Sequence, residues 1–292
     1  EIDVDGDNAT HRCYLQAQDR VVAVDDIETK RNECDARPYA LANPQLKQLP
    51  VFGQFRGQDN PEVILTLDPQ PQVIFKVFMG MGNRPDELQA KTGIPVVAVD
   101  SGDLGLHRSQ FAASVRLMGE VLGKSERAEE LLSYFDKTIS DLRTRTADIP
   151  PERRPSVYLG GVAFKGPHGL QSTEPAYPPF LFIGARNPAF QGTGKNVSSS
   201  MIAKEQIVSW NPDYLFVDLS TLQMGQHAGG LYELRTDPAY TSLQAVADDR
   251  VFGVLPYNWY AQNFESILAN AYFIGKTLYP DRFEDTDPAV KA

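Results

Sequence analysis

The chain has 292 residues, of which 42% are hydrophobic and 23% are charged, a composition that excludes disordered and membrane-embedded classes. Its net charge of −10 argues against nucleic acid or anionic lipid as a partner, because phosphate binding needs clustered lysine and arginine. This length accommodates two domains, each with its own core. No run approaches the ~20 apolar residues of a transmembrane helix, and we expect any signal peptide to have been removed.

The first 20 residues show no regular pattern, and we interpret them as a solvated tail. Cys13 and Cys34 are the only cysteines. They are close enough in sequence to close one loop as a disulfide, which would favour an oxidising compartment, but two unrelated buried thiols are an equal alternative.

Short β-rich runs alternate with helical runs along the first part of the chain. Asn60 followed by Pro61 predicts a capped helix start. The pattern predicts strands over residues 20–25, 73–78 and 94–100, and helices over 85–91 and 108–122. We expect the apolar run at 94–100 to be buried in a parallel sheet.

The longest helical pattern covers residues 125–148. Its apolar side chains recur at three- and four-residue steps, which places them on one face of a helix: Ala128, Leu131, Leu132, Phe135, Ile139 and Leu142. Ser125 can cap its start, and Pro150 and Pro151 end it. The helix either joins two α/β lobes or lies on the surface of one α/β domain.

The second part of the chain repeats the alternation. Strands are predicted over residues 156–161, 214–218 and 250–255, and helices over 203–210, 230–236 and 264–278. We therefore expect an α/β fold with central, mostly parallel sheets. Its domains would be an N-terminal lobe over 1–123, a joining helix over 124–149 and a C-terminal lobe over 150–292.

Loops that follow strands supply the candidate ligand residues, because open α/β sheets bind ligands at the carboxyl ends of their strands. The candidates are Arg37, Tyr39, Met79, Met81, Lys165, His168, Tyr177, Tyr257, Trp259 and Tyr260. Seven of them have a structural alternative: Arg37 and Tyr39 pin their loop, the two methionines pack in the core, and the last three aromatics cap a sheet. The glycine-rich loop that holds the methionines lacks the third glycine and the lysine of nucleotide-binding loops.

Two segments of the chain repeat one pattern. EVILTLDP at residues 62–69 matches EQIVSWNP at 205–212, and an apolar strand follows each. Glu62 and Glu205 thus occupy equivalent helix starts, where a glutamate is normally worth only an interaction with the helix dipole.

The chain resembles the solute-binding proteins of ABC importers for iron-siderophores, haem and cobalamin. The resemblance lies in these two repeated units and in three further parts: KTGIPVVAVD, the long helix and DDRVFGVLPYN. The resemblance implies two α/β lobes held by one long helix, with Glu62 and Glu205 docking onto a membrane permease. The chain departs from that family at its front. The family usually has a strand, a glycine turn and a helix there, and only HRCYLQAQ resembles the end of that helix.

The resemblance implies a non-catalytic protein that delivers a metal chelate (iron-siderophore, haem or corrinoid) to an ABC permease with its ATPase. We expect a monomer without a cofactor of its own, periplasmic or extracellular, with lipid anchoring left open. An enzyme or a sensor or adhesin module is the alternative, but HExxH, GxSxG and kinase motifs are missing. The four histidines are too scattered to predict a metal site: His11, His107, His168 and His227.

Overall fold

A computed structural model describes residues 2–4, 11–30, 35–55, 58–77, 82–193, 199–258 and 262–291. The chain forms two compact units. Unit 1 comprises Glu1–Phe135 and Tyr260–Asn263, and unit 2 comprises Asp136–Trp259 and Phe264–Ala292. Sheets and helices alternate in each unit, which confirms the α/β class. The division at residues 123 and 150 stays a prediction.

Unit 1 contains a six-stranded sheet in the order β4-β3-β2-β1-β5-β6. Its neighbouring strands are parallel except for the antiparallel pair of β3 and β4. The strands are β1 Ile2–Val4, β2 Val21–Asp25, β3 Val51–Gln54, β4 Gln58–Asp59, β5 Val73–Lys76 and β6 Val96–Ala98. One core of this unit gathers Ala23, Phe52, Ile64, Ile74, Leu88 and Ile94.

The interpretation of the first 20 residues as a solvated tail is wrong. Residues 2–4 form β1, which pairs with β2 through Ile2 and Val21 and with β5 through Ile2 and Val73. Residues 11–14 are helical (α1). A three-residue strand gives no periodic signal, and backbone pairing on both sides holds it in place.

The helices predicted in unit 1 are present with bounds close to those expected. Asn60 Oδ1 accepts hydrogen bonds from the backbone N–H groups of Glu62 (3.1 Å) and Val63 (3.2 Å), which caps the helix that Pro61 begins. The helices after α1 are α2 Asp26–Thr29, α3 Pro38–Ala42, α4 Pro61–Leu65, α5 Pro85–Thr92, α6 Arg108–Val121 and α7 Ser125–Thr146. Of these helices, α1, α2 and α3 were not predicted. The predicted burial of residues 94–100 is wrong for β6, whose three residues are only partly buried. The reason is that β6 is an edge strand, with no neighbour on its outer side in the described sheet.

The long helix α7 has 22 residues and ends two residues earlier than predicted. The six apolar side chains of its predicted face are all buried. The boundary between the two units falls inside α7, after Phe135. Within unit 1, Arg108 Nη2 donates to Leu132 O (3.3 Å), and within unit 2, Arg145 Nε donates to Asp141 Oδ2 (2.9 Å).

Unit 2 contains a parallel sheet in the order β11-β10-β7 and a small antiparallel pair, β8 and β9. These strands are β7 Val157–Gly160, β8 Ser172–Thr173, β9 Ser200–Met201, β10 Tyr214–Asp218 and β11 Val251–Val254. Its helices are α8 Pro178–Phe182, α9 Pro188–Thr193, α10 Lys204–Trp210, α11 Gly230–Thr236, α12 Pro238–Thr241, α13 Gln244–Ala247, α14 Phe264–Leu278 and α15 Pro288–Lys291. Between residues 161 and 203, where the sequence predicted neither strand nor helix, the structure has β8, α8, α9 and β9.

Candidate functional site

Three loops follow the carboxyl ends of the parallel strands of unit 2, and hydrogen bonds tie them together. Asn258 Nδ2, after β11, donates to Ala163 O, after β7, at 2.9 Å. Ser220 Oγ and Thr221 Oγ1, after β10, donate to Gly161 O (3.2 Å) and His168 O (2.7 Å). Because parallel strands end at one edge of the sheet, these loops form a single surface.

Large apolar side chains are exposed in all three of these loops. We call this set the apolar rim; its members are Phe164 (49% exposed), Leu222 (56%), Met224 (39%) and Leu255 (48%). Single exposed apolar residues need no explanation, but several on neighbouring loops mark an interaction site. The sequence prediction missed all four residues, although each lies within a few residues of a strand end, where ligand residues were sought.

Lys165 lies exposed beside this rim. Its φ of 55° is a left-handed backbone conformation that side chains other than glycine rarely adopt. Two contacts close the turn around it: Phe164 N donates to Gly166 O (2.9 Å), and His168 Nε2 lies 2.7 Å from Phe164 O. Lys165 Nζ lies 5.5 Å from the centre of the Phe164 ring. The predicted pair Lys165 and His168 therefore shares one turn, with the lysine at the surface and the histidine closing the loop.

The predicted Tyr177 and Tyr257 are buried in unit 2, with ring centres 5.9 Å apart. Tyr257 OH donates to the Glu174 carboxylate, and Tyr177 OH accepts from Asn270 Nδ2 at 3.0 Å. Asn270 also bonds both backbone polar groups of Leu255, at 2.9 and 2.8 Å. These tyrosines thus support a loop that carries the rim, and direct contact with a ligand stays a prediction for both.

A buried carboxylate, Asp218, ends β10. Burial raises its pKa to about 6, although hydrogen bonding from Ser220 N at 2.9 Å favours the charged form. Burial also raises the pKa of Tyr177, and the nearby carboxylates of Asp218 and Glu174 add to that shift. Buried acidic groups therefore lie at the edge of the sheet where β10 ends.

Arg37 and Tyr39 lie inside unit 1, where both are buried. Arg37 donates to Asp35 Oδ1 (2.9 Å) and Oδ2 (3.0 Å) and to Glu28 Oε2 (3.1 Å). Tyr39 OH donates to Glu28 Oε1 at 2.6 Å. Burial raises the pKa of Glu28, and the Arg37 charge opposes this. The guanidinium is thus committed to internal carboxylates, and a ligand role for Arg37 and Tyr39 stays an untested prediction.

A second buried ion pair was not predicted. Lys76 Nζ, at the end of β5, lies 2.6 Å from Asp59 Oδ2, and the exposed fractions of the two side chains are 1% and 4%. A lysine inside the apolar run VIFKVF is the signal that could have indicated it, because a buried ammonium needs a partner.

Glu62 and Glu205 are both exposed, in the first turns of α4 and α10. Each lies in a different unit. Their docking role is not tested by these positions and stays a prediction.

Several predicted residues lie outside the described parts of the chain: Met79, Met81, Trp259, Tyr260 and Cys34. The pairing of Cys13 with Cys34 therefore stays open; the Cys13 thiol accepts a hydrogen bond from Asn43 Nδ2 at 3.4 Å. Among the described residues, histidine, cysteine, aspartate and glutamate do not gather into a group of three that could hold a metal ion. None of the helices within those ranges has the length and apolar character needed to cross a membrane.

A family model described as periplasmic binding protein matches residues 13–256. The molybdate-binding protein MolA of Haemophilus influenzae is 22% identical over 271 residues, 85% of this chain and 72% of MolA. The iron-uptake system-binding protein of Bacillus subtilis is 22% identical over 194 residues, 66% of this chain and 54% of that protein. The structure of MolA bound to molybdate superimposes with a TM-score of 0.72 at 19% identity and covers 99% of this chain and 89% of MolA.

Proposed function

This chain belongs to the periplasmic binding protein family, and we propose that the solute it captures for its ABC importer is a metal chelate. Proteins of this family bind small molecules in the periplasm and work with an ABC permease and its ATPase, and those it resembles are binding proteins rather than enzymes. We propose three things beyond family membership: the class of ligand, the monomeric state and any lipid anchor.

The apolar rim is the observation that supports a chelate. A metal bound by an organic ligand presents carbon surface around the ion, and covering Phe164, Leu222 and Leu255 with it gains roughly 25 cal/mol per Å² of apolar surface removed from water. A bare metal ion or a small oxyanion offers no such surface. The similarity of this chain to an iron-uptake system-binding protein agrees with this class.

Molybdate is the second candidate, because the family relative MolA carries it in its name. An oxyanion is usually held by hydroxyl and backbone N–H donors. In unit 2 the hydroxyls of Ser172, Ser220 and Thr221 already donate to backbone carbonyls, at 2.7, 3.2 and 2.7 Å. These donors are therefore used inside the protein, which favours the chelate.

Binding of a ligand panel tests the proposal. The panel contains a ferric tris-hydroxamate, a ferric tris-catecholate, haemin, cobalamin and molybdate, measured by calorimetry and by tryptophan fluorescence. Trp210 and Trp259 are the two tryptophans of the chain, and Trp210 packs against the core of unit 2. We expect at least one chelate to bind in the micromolar range or tighter. Binding of molybdate alone, or of none of the five, would overturn the metal-chelate proposal.

A further inference from the structure

We infer that the chelate carries an anionic group, which Lys165 binds while Phe164 packs against the adjoining apolar part of the ligand. This inference rests on the proposed function and names a feature of the ligand. It comes from the charges at the strand-end surface of unit 2, where acidic residues are buried and a lysine is exposed.

Lys165 is an exposed cation on that surface. Arg37, the other predicted cation, is buried in unit 1 against Asp35 and Glu28. Three acidic residues of unit 2 contact these loops, and each carboxylate accepts a hydrogen bond inside the unit: Glu174 from Tyr257 OH, Asp218 from Ser220 N and Glu233 from Leu170 N. In the parts of the chain that the structure describes, no carboxylate pairs with the Lys165 ammonium.

The turn around Lys165 holds that ammonium beside an aromatic face. Its φ of 55° would suit glycine better, so the backbone accepts strain at the position where the lysine stands. The Phe164 ring lies 5.5 Å from Nζ and attracts the cation without neutralising it. The contact with the ring therefore adds no negative charge beside the ammonium.

The neighbouring rim residues define the rest of the ligand. Leu222, Met224 and Leu255 are exposed in loops tied to the Lys165 turn through His168 O and Ala163 O. An anion without an apolar body would leave these side chains uncovered, and a neutral chelate would leave the lysine without a partner. An apolar chelate with a negatively charged group satisfies both.

Two matched pairs of probes test this recognition. A trianionic ferric tris-catecholate is compared with a neutral ferric tris-hydroxamate, and haemin is compared with its dimethyl ester. We expect the anionic member of a pair to bind about tenfold more tightly, since a charge-assisted contact is worth on the order of one such factor. Raising the salt concentration should reduce this preference.

Variants separate the two side chains. Lys165→Gln should lower affinity for the anionic probe about tenfold and leave the neutral probe within about twofold. Phe164→Ala should weaken both probes. Lys137→Gln, which removes the charge of an exposed lysine on α7, serves as the control and should change neither. Lys165→Gly relaxes the turn, so it should lose the anion preference without a lower melting temperature.

The outcomes distinguish the two proposals. Equal binding of anionic and neutral chelates, unchanged by Lys165→Gln, would overturn the inference and leave the chelate function standing. Failure of every chelate in the wild-type protein would overturn both.

Discussion

Arg37, a predicted ligand residue, is paired with Glu28 and Asp35 inside unit 1. We expect Arg37→Met to lower the free energy of unfolding by about 3–5 kcal/mol, because it leaves Glu28 and Asp35 buried without their shared cation. Urea denaturation measures this. Adding Glu28→Gln to the variant should restore part of the loss, since one uncompensated charge disappears. A loss below ~1 kcal/mol together with weakened ligand binding would assign Arg37 to the ligand after all.

Asp218 makes the stability of the protein depend on pH. Its pKa is about 6 in the folded chain against an ordinary value of 3.8, so between these values the folded state binds more protons than the unfolded state. Stability contributed by this group is therefore present at low pH and is lost as pH rises through about 6.

Replacing Asp218 tests that dependence. Asp218→Asn does not titrate, so its stability relative to the wild type should rise by on the order of 2 kcal/mol between pH 4 and pH 7. Denaturant titrations of both proteins at several pH values give this difference. A difference that stays constant across the range would show that the pKa of Asp218 is the same in the folded and the unfolded chain.

At the scale of elements, α6 and α7 approach closely at Gly119. A Cβ placed there would lie 2.7 Å from Ala128 Cβ and 3.3 Å from Lys124 O. We expect Gly119→Ala to lower the free energy of unfolding by about 1–2 kcal/mol, because overpacking outweighs the better helix propensity of alanine. Thermal or urea unfolding measures this cost.

Two controls identify the cause. Gly230→Ala, in α11, meets its nearest atoms at 3.4 Å and should be nearly neutral. The pair Gly119→Ala with Ala128→Gly restores the space and should recover packing. If the double variant is no better than Gly119→Ala alone, steric crowding is not the reason.

The sequence predicted elements where local signals are strong. Asn60 with Pro61 predicted the start of α4, and the spacing of the apolar residues predicted α7; both helices are confirmed. It failed at β1, because two neighbouring strands stabilise three residues that carry little pattern of their own. It also missed Phe164 and Leu255, since the exposure of a single apolar residue after a strand depends on tertiary packing that periodicity does not encode.

At the scale of the whole molecule, the two exposed glutamates are predicted to serve a partner rather than the fold. Glu62→Ala with Glu205→Ala should cost less than ~1 kcal/mol of stability, because both side chains are exposed in the first turn of a helix. Uptake of the ligand by cells that contain the cognate permease should nevertheless fall.

A matched pair provides the control. Glu87 and Glu126 are also exposed acids in the first turns of helices, α5 and α7. Their replacement by alanine should leave uptake unchanged. Equal uptake by both double variants would show that Glu62 and Glu205 have no specific docking role.

The central position of β1 affects how unit 1 folds. Ile2 pairs with Val21 on one side and with Val73 on the other. The sheet is therefore complete only after β1 has met both β2 and β5, which lie further along the chain. Such non-local pairing slows folding, because loop-closure entropy must be overcome before the contacts form. Until then β2 and β5 present unpaired backbone edges that can join other chains. Refolding yield should therefore fall as protein concentration rises. The loss of yield should be larger the longer β2 and β5 stay unpaired.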